Sequence, residues 1–164
     1  SRNQLIICET TRLGDDESWI EARPATHGGL TIRYRLDYGN GNAIGRQTWE
    51  MPVTPNAFRR ELAPCRTFMF KQEADWLLSH GLGTRTTTSD LLVVGDLGPI
   101  DNELRFSDEC VRHKMLDLVG DLALAGCDIV GHVMAHRTGH RLNAELVRVL
   151  LSEGELIQAR RRSA

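Results

Sequence analysis

The first half of the chain alternates between apolar and polar positions, and the second half repeats every three to four residues. Over residues 30–36, Leu30, Ile32, Tyr34 and Leu36 fall on one side and Thr31, Arg33 and Arg35 on the other. A period of two predicts a half-buried strand. Residues 18–23 alternate likewise, with Trp19, Glu21 and Arg23 set against Ile20 and Ala22, and residues 4–9 form a short apolar run. Tyr38-Gly39-Asn40-Gly41-Asn42 is a turn cluster, followed by a return strand over 46–51 that Pro52 ends.

Thr54 and Pro55 then predict a short helix, since threonine can cap it and proline suits its first turn. Phe58, Leu62 and Ala63 give it one apolar side. A short strand is expected over 65–68. A helix follows over 71–80, with Ala74, Leu77 and Leu78 on one stripe and Gly81 at its stop. A polar, Thr-rich stretch at 84–89 feeds a continuous apolar strand at 90–94.

The longest predicted helix begins at Ser107-Asp108-Glu109 and carries Val111, Met115, Leu118 and Leu122 at helical spacing until Gly126. Residues 129–135 read as a strand. A second helix starts near Gly139 or His140 and runs to about Leu151, with Leu142, Leu146, Val149 and Leu150 inward. An early meander followed by packed helices predicts an α+β, two-layer sandwich: a mixed, mainly antiparallel sheet on two main helices.

A length of 164 residues suits one domain. The net charge of −2 argues against a nucleic-acid-binding domain, which carries a basic excess. The run Arg160, Arg161 and Arg162 reads as a solvated helix end. No stretch approaches the ~18 apolar residues of a transmembrane helix, and no signal-peptide pattern is visible. The sequence starts at Ser1 without a methionine and reads as a processed or excised piece. Cys8, Cys65, Cys110 and Cys127 are scattered, with no CxxC, and read as buried free thiols of a reducing compartment.

Chemistry concentrates in two places. In Val111-Arg112-His113-Lys114-Met115-Leu116-Asp117, His113 and Asp117 are four apart, which stacks them on one helix face. Imidazole and carboxylate are both zinc ligands, but an H-x-x-x-D pair alone is a weak signal, more often a surface ion pair or a satisfied histidine on an amphipathic helix. Asp121 extends the same polar stripe, which either meets solvent or lines a cleft. The second place is the segment from Gly131 to His140. Read as a strand, it puts His132, Met134 and His136 on one face, as partly buried or surface residues, and leaves His140 after a Thr-Gly turn at a helix start. A histidine there can donate a proton or stabilise an oxyanion, and a nearby carboxylate such as Asp121 would favour its charged form.

Five motifs then occur in fixed order: Arg66-Thr67-Phe68 with Phe70; Leu104-Arg105-Phe106 with Asp108-Glu109; the segment from Val111 to Asp117; Gly120-Asp121-Leu122; and Thr138-Gly139-His140 with Leu142-Asn143. Together they resemble the second, C-terminal domain of the UDP-3-O-acyl-N-acetylglucosamine deacetylases of lipid A biosynthesis, over roughly residues 19–151. Those enzymes are cytoplasmic zinc amidohydrolases of two similar α+β domains, which remove the acetyl group from the glucosamine nitrogen of an acylated UDP sugar. The resemblance implies zinc ligands at His113 and Asp117 and a catalytic histidine at His140 supported by Asp121. It implies Thr67 as a polarising group on the amide carbonyl, Phe68 against the sugar and Lys114 at the substrate's polar head. It also implies that the third zinc ligand and the general-base glutamate lie in an N-terminal domain in cis, so that residues 1–164 form one domain of a larger enzyme.

A strand-helix-strand insert at about 69–94 is expected to form an apolar passage for the acyl chain. Met69 stands there in place of the family's glycine, Lys71 and Ala74 stand where apolar side chains would be expected, and the loop over 84–88 lacks the family's paired glycines. A lysine inside such a passage is costly unless it reaches water. An altered-substrate or non-catalytic homologue used for binding or assembly is therefore the competing expectation.

Overall fold

The structure, a computed structural model, describes residues 3–83, 85–87 and 89–157. Arg160, Arg161 and Arg162, and Thr84 and Thr88 of the Thr-rich loop, lie outside the described residues. Alternation in the first half becomes strands β1 (Gln4–Ile6), β2 (Thr11–Gly14), β3 (Trp19–Arg23), β4 (Leu30–Asp37) and β5 (Arg46–Pro52). Thr54 caps a single helical turn, α1 (Pro55–Ala57), by accepting from the Ala57 N–H at 3.1 Å, and a π-helical turn over Phe58–Leu62 continues it.

Next come β6 (Thr67–Phe70), α2 (Lys71–Ser79), β7 (Leu91–Gly95) and β8 (Gly98–Pro99). Strands β6 and β7 pair in parallel with α2 as their crossover, so this strand-helix-strand unit owns a small sheet of its own. The long helix α3 (Glu109–Leu122), the central strand β9 (Asp128–His136), helix α4 (His140–Glu153) and the short β10 (Glu155–Ile157) complete the chain. A left-handed Gly126 (φ 70°) turns the chain from α3 into β9, the conformation glycine adopts without steric cost.

In the large sheet, β9 pairs in parallel with β1 through its first three residues and is flanked further on by β3, antiparallel, and β4, parallel. The outer pairs β1–β10, β2–β3 and β4–β5 are antiparallel, so the sheet is mixed and mainly antiparallel, as expected. Its inner face presents Ile20, Ala22, Ile32, Tyr34, Val133 and Ala135, all without solvent exposure, to Val111, Met115 and Leu118 of α3 and Leu146 of α4. Each of the larger aliphatic side chains among them contributes about 1.5–3 kcal/mol on burial, so these two layers hold the fold. Strand β9 leaves its outer face half-buried, with His132, Met134 and His136 in line.

Gly131 sits where a Cβ would stand 2.3 Å from the Ile7 Cδ1 methyl and 3.0 Å from the Arg23 carbonyl. Glycine is required there by close approach. Burial of the cysteines departs from expectation. Cys65 and Cys110 are buried, and burial pushes their thiols up to about 11 and about 12, but Cys8 is exposed and Cys127 half-exposed. Cys8 follows the short β1 out of the sheet, and its thiol reaches toward Glu155.

Candidate active site

Helix α3 is pinned through its apolar stripe, and that pinning sets where its polar residues go. With Val111, Met115, Leu118 and Leu122 in the core, His113 and Asp117 come to the margin of the helix layer. His113 is 8% exposed, and its ring meets Phe68 edge-on with centroids 5.9 Å apart. Its Nε2 lies 3.5 Å from Asp117 Oδ1, while Asp117 Oδ2 accepts from Lys114 Nζ at 2.9 Å. Burial holds the His113 imidazole below its usual pKa. Asp117 opposes that shift, and Lys114 and, more weakly, His140 reinforce it. The ring is therefore neutral near pH 7, the form that ligates metals.

His140 opens α4, on a turn whose neighbouring residue Arg137 is left-handed (φ 52°) and whose cap, Gly139, is extended. Its ring is 74% exposed, and its Nδ1 lies 2.8 and 3.0 Å from the two oxygens of Asp121. A carboxylate only accepts, so Nδ1 carries the proton toward Asp121 and Nε2 is turned outward. Asn143, one turn along α4 from His140, donates its Nδ2–H to Asp121 Oδ2 at 2.8 Å and fixes that carboxylate.

Strand β6 sends alternate side chains to two places. Phe68 and Phe70 pack on Tyr38, with Phe68 reaching His113 as well. Thr67 and Met69 face an apolar cavity of about 420 Å³ in the insert, bounded also by Ala74, Leu77, Leu82 and Val93. Lys71 stays out of that cavity: its ammonium is exposed and pairs with Asp75 one turn along α2. The charge that would have been costly in an apolar passage thus reaches water.

Arg66, immediately before Thr67, is buried and so is Glu109 at the first turn of α3. Arg66 donates from Nε to Oε1 and from Nη2 to Oε2 of Glu109, each at 2.9 Å, and its backbone N–H donates to Oε1 at 3.0 Å. This bidentate pair ties the start of β6 to the helix bearing His113. One turn on, Arg112 lies between the rings of Trp49 and Phe106 and pairs with Asp108 and Glu61. Asp108 therefore serves Arg112 rather than capping the helix with its side chain.

The donor set suits zinc in part. Two ligands at 2.0–2.1 Å from a tetrahedral zinc stand roughly 3.4 Å apart, close to the 3.5 Å between His113 Nε2 and Asp117 Oδ1. That separation is too long for a good hydrogen bond. His113 Nδ1 is buried with no hydrogen-bond partner. Among the described residues no group of three or more His, Cys, Asp or Glu side chains is placed to hold a metal.

The sequence profile of the UDP-3-O-acyl N-acetylglycosamine deacetylase family matches residues 1–152. The chain belongs to this family. It is 40% identical over 142 residues to the UDP-3-O-acyl-N-acetylglucosamine deacetylase of Oleidesulfovibrio alaskensis, which covers 86% of this chain and 46% of the relative. It is 41% identical over 163 residues to the deacetylase of the same name from Brucella ovis, covering 96% of this chain and 56% of that protein. Brucella canis carries a deacetylase of that name matching to the same extent. The chain spans about half the length of the curated relatives it matches.

Of the residues expected in a deacetylase site, the structure brings His113, Asp117, Lys114 and Phe68 into one cluster and His140 and Asp121 into another, with Asp121 four residues beyond Asp117 on α3. Thr67 is exposed beside Phe68, at the cavity rim. Asn143 stood in the sequence motif without a role, and its spacing of three from His140 was the available signal. The Arg66–Glu109 pair gave none.

Proposed function

We propose that this chain is the half of a zinc-dependent deacetylase that carries two metal ligands and the proton donor. The substrate is a UDP-3-O-acyl-N-acetylglucosamine of lipid A biosynthesis, and the reaction is hydrolysis of its N-acetyl amide to the free amine and acetate. The observation that carries this reading is the 3.5 Å approach of His113 Nε2 to Asp117 Oδ1 beside the His140–Asp121 pair. Family membership supports it.

His113 and Asp117 would hold the zinc. When bound, the metal polarises the amide carbonyl and lowers the pKa of a water. Thr67 directs its hydroxyl at the amide oxygen. Asp121 and Asn143 fix the His140 ring so that Nε2 supplies charge to the developing oxyanion and the proton to the leaving nitrogen. Phe68 supports the sugar, and Lys114, already held by Asp117, meets the polar head of the nucleotide. The acyl chain enters the insert cavity past Thr67. A third metal donor and a carboxylate base would come from an N-terminal domain in cis, and the reaction would take place in the cytoplasm.

Metal analysis and deacetylation assays on the full-length protein test this reading. Stoichiometric zinc, and activity that disappears with a chelator and returns with zinc, are expected. A full-length protein that turns over an acylated UDP-N-acetylglucosamine equally well after complete zinc removal would refute it.

A further inference from the structure

His140 stands on a turn that has little to hold it from its own side. Its cap, Gly139, offers no side chain, and Arg137 occupies a left-handed conformation that a non-glycine residue adopts only when its surroundings impose it. The turn's carbonyls are instead held from the turn between β2 and β3 and from β4. Ser18 Oγ donates to the Arg137 carbonyl at 3.0 Å, at an exposed position. Tyr34 Oη donates to the Thr138 carbonyl at 2.7 Å, fully buried, two residues before His140. The Thr138 hydroxyl in turn approaches Tyr34 Oη at 3.4 Å.

Tyr34 lies in the middle of β4, against β9, in the sheet layer under both helices, and every other alternating core position of β4 is aliphatic. A leucine or isoleucine would fill such a site without a polar atom to satisfy. A hydroxyl stands there instead and bonds one peptide carbonyl of the turn. Burial pushes the phenol up to about 12, so it remains a donor throughout the working pH range.

The geometry points to Tyr34 as a positioning residue for catalysis: its buried hydroxyl anchors the Thr138 peptide and thereby sets His140 where Asp121 and the substrate need it. Tyr34 is too deep to touch substrate, and it acts through His140. This inference rests on the role proposed above for His140.

The test uses the full-length enzyme with Tyr34→Phe, His140→Ala and the double variant. Tyr34→Phe removes one oxygen and keeps the ring. We expect kcat to fall roughly tenfold to a hundredfold, with KM within twofold, zinc content unchanged and cooperative melting retained. In the His140→Ala background Tyr34→Phe should cost nothing further, because residues acting as a unit are not additive. A Tyr34→Phe enzyme within twofold of the parent kcat overturns the inference. So does a loss that repeats in full on top of His140→Ala, or a loss of cooperative melting, since either places the hydroxyl in general stability. Unchanged turnover in His140→Ala alone overturns the proposed function instead, so the two failures are told apart.

Discussion

Arg66 and Glu109, 43 residues apart in the chain, form a buried bidentate ion pair. Burial alone would raise the Glu109 pKa, but the Arg66 guanidinium and the backbone N–H groups of Arg66 and Arg105 together hold it below the ordinary 4.5. A carboxylate with a depressed folded-state pKa stabilises the fold above its unfolded pKa, and that contribution is lost as pH falls through the folded value. The fold should therefore lose stability below about pH 4.5, and Glu109→Gln should flatten that acid limb. Glu109→Ala, which leaves the buried guanidinium only neutral partners such as Asn102 and the Glu103 carbonyl, should cost about 3–5 kcal/mol. Urea unfolding across pH 3–7 checks both; an acid limb in Glu109→Gln as steep as in the parent would show that other carboxylates carry it.

His113→Ala and Asp117→Ala should each lower bound zinc and turnover together in the full-length protein. Asp117→Ala also frees Lys114, which now bonds Asp117 Oδ2, so its KM should rise more than that of His113→Ala. Metal content by mass spectrometry alongside steady-state kinetics separates the two effects. Full zinc occupancy in His113→Ala would remove that imidazole from the ligand set.

His140→Ala should spare zinc and cut the rate about a hundredfold or more. Asp121→Asn should do less, because the amide still offers an oxygen to Nδ1 but can present its NH₂ there instead. Asn143→Ala should follow Asp121→Asn in direction, through the carboxylate it holds at 2.8 Å. Rates of the three variants at matched zinc loading give the order; a rate in Asp121→Asn below that of His140→Ala would assign Asp121 a role apart from the ring.

Lys71 and Asp75 form an exposed i,i+4 pair on α2. Lys71→Ala should change stability by no more than about 0.5 kcal/mol and leave the preferred acyl length untouched. Melting and a series of acyl substrates of different length would report it. A shift in preferred length would place the lysine stem inside the passage.

The elements readable from sequence were those with a buried face. Ile32, Tyr34 and Leu36 of β4, and Val111, Met115 and Leu118 of α3, are all sealed from solvent, so the pattern and the packing say the same thing. Strands β2 and β10 escaped notice for the opposite reason. Thr11–Gly14 has one apolar residue, and all three residues of Glu155–Ile157 are exposed, so backbone pairing with β3 and β1 makes them strands. The candidate site divides along the same line. The four-residue spacing of His113 and Asp117 is local and legible. The Asp121–His140 bond spans 19 residues and two elements, and the sequence pointed to it through the Thr-Gly turn before His140, the carboxylate on the polar stripe of α3 and the family resemblance. Arg66 and Glu109 look like surface charges until the fold brings them together.

Gly131 carries a consequence for how the edge of the sheet is assembled. The vacancy its missing methyl leaves beside Arg23 is occupied by the Ile7 side chain, so the strand next to it is keyed into place by an absence. A larger residue at 131 would have to displace the Ile7 side chain, which follows directly on the first strand. A side chain at that position would press on the Ile7 methyl and the Arg23 carbonyl at once, however far it lies from the chemistry.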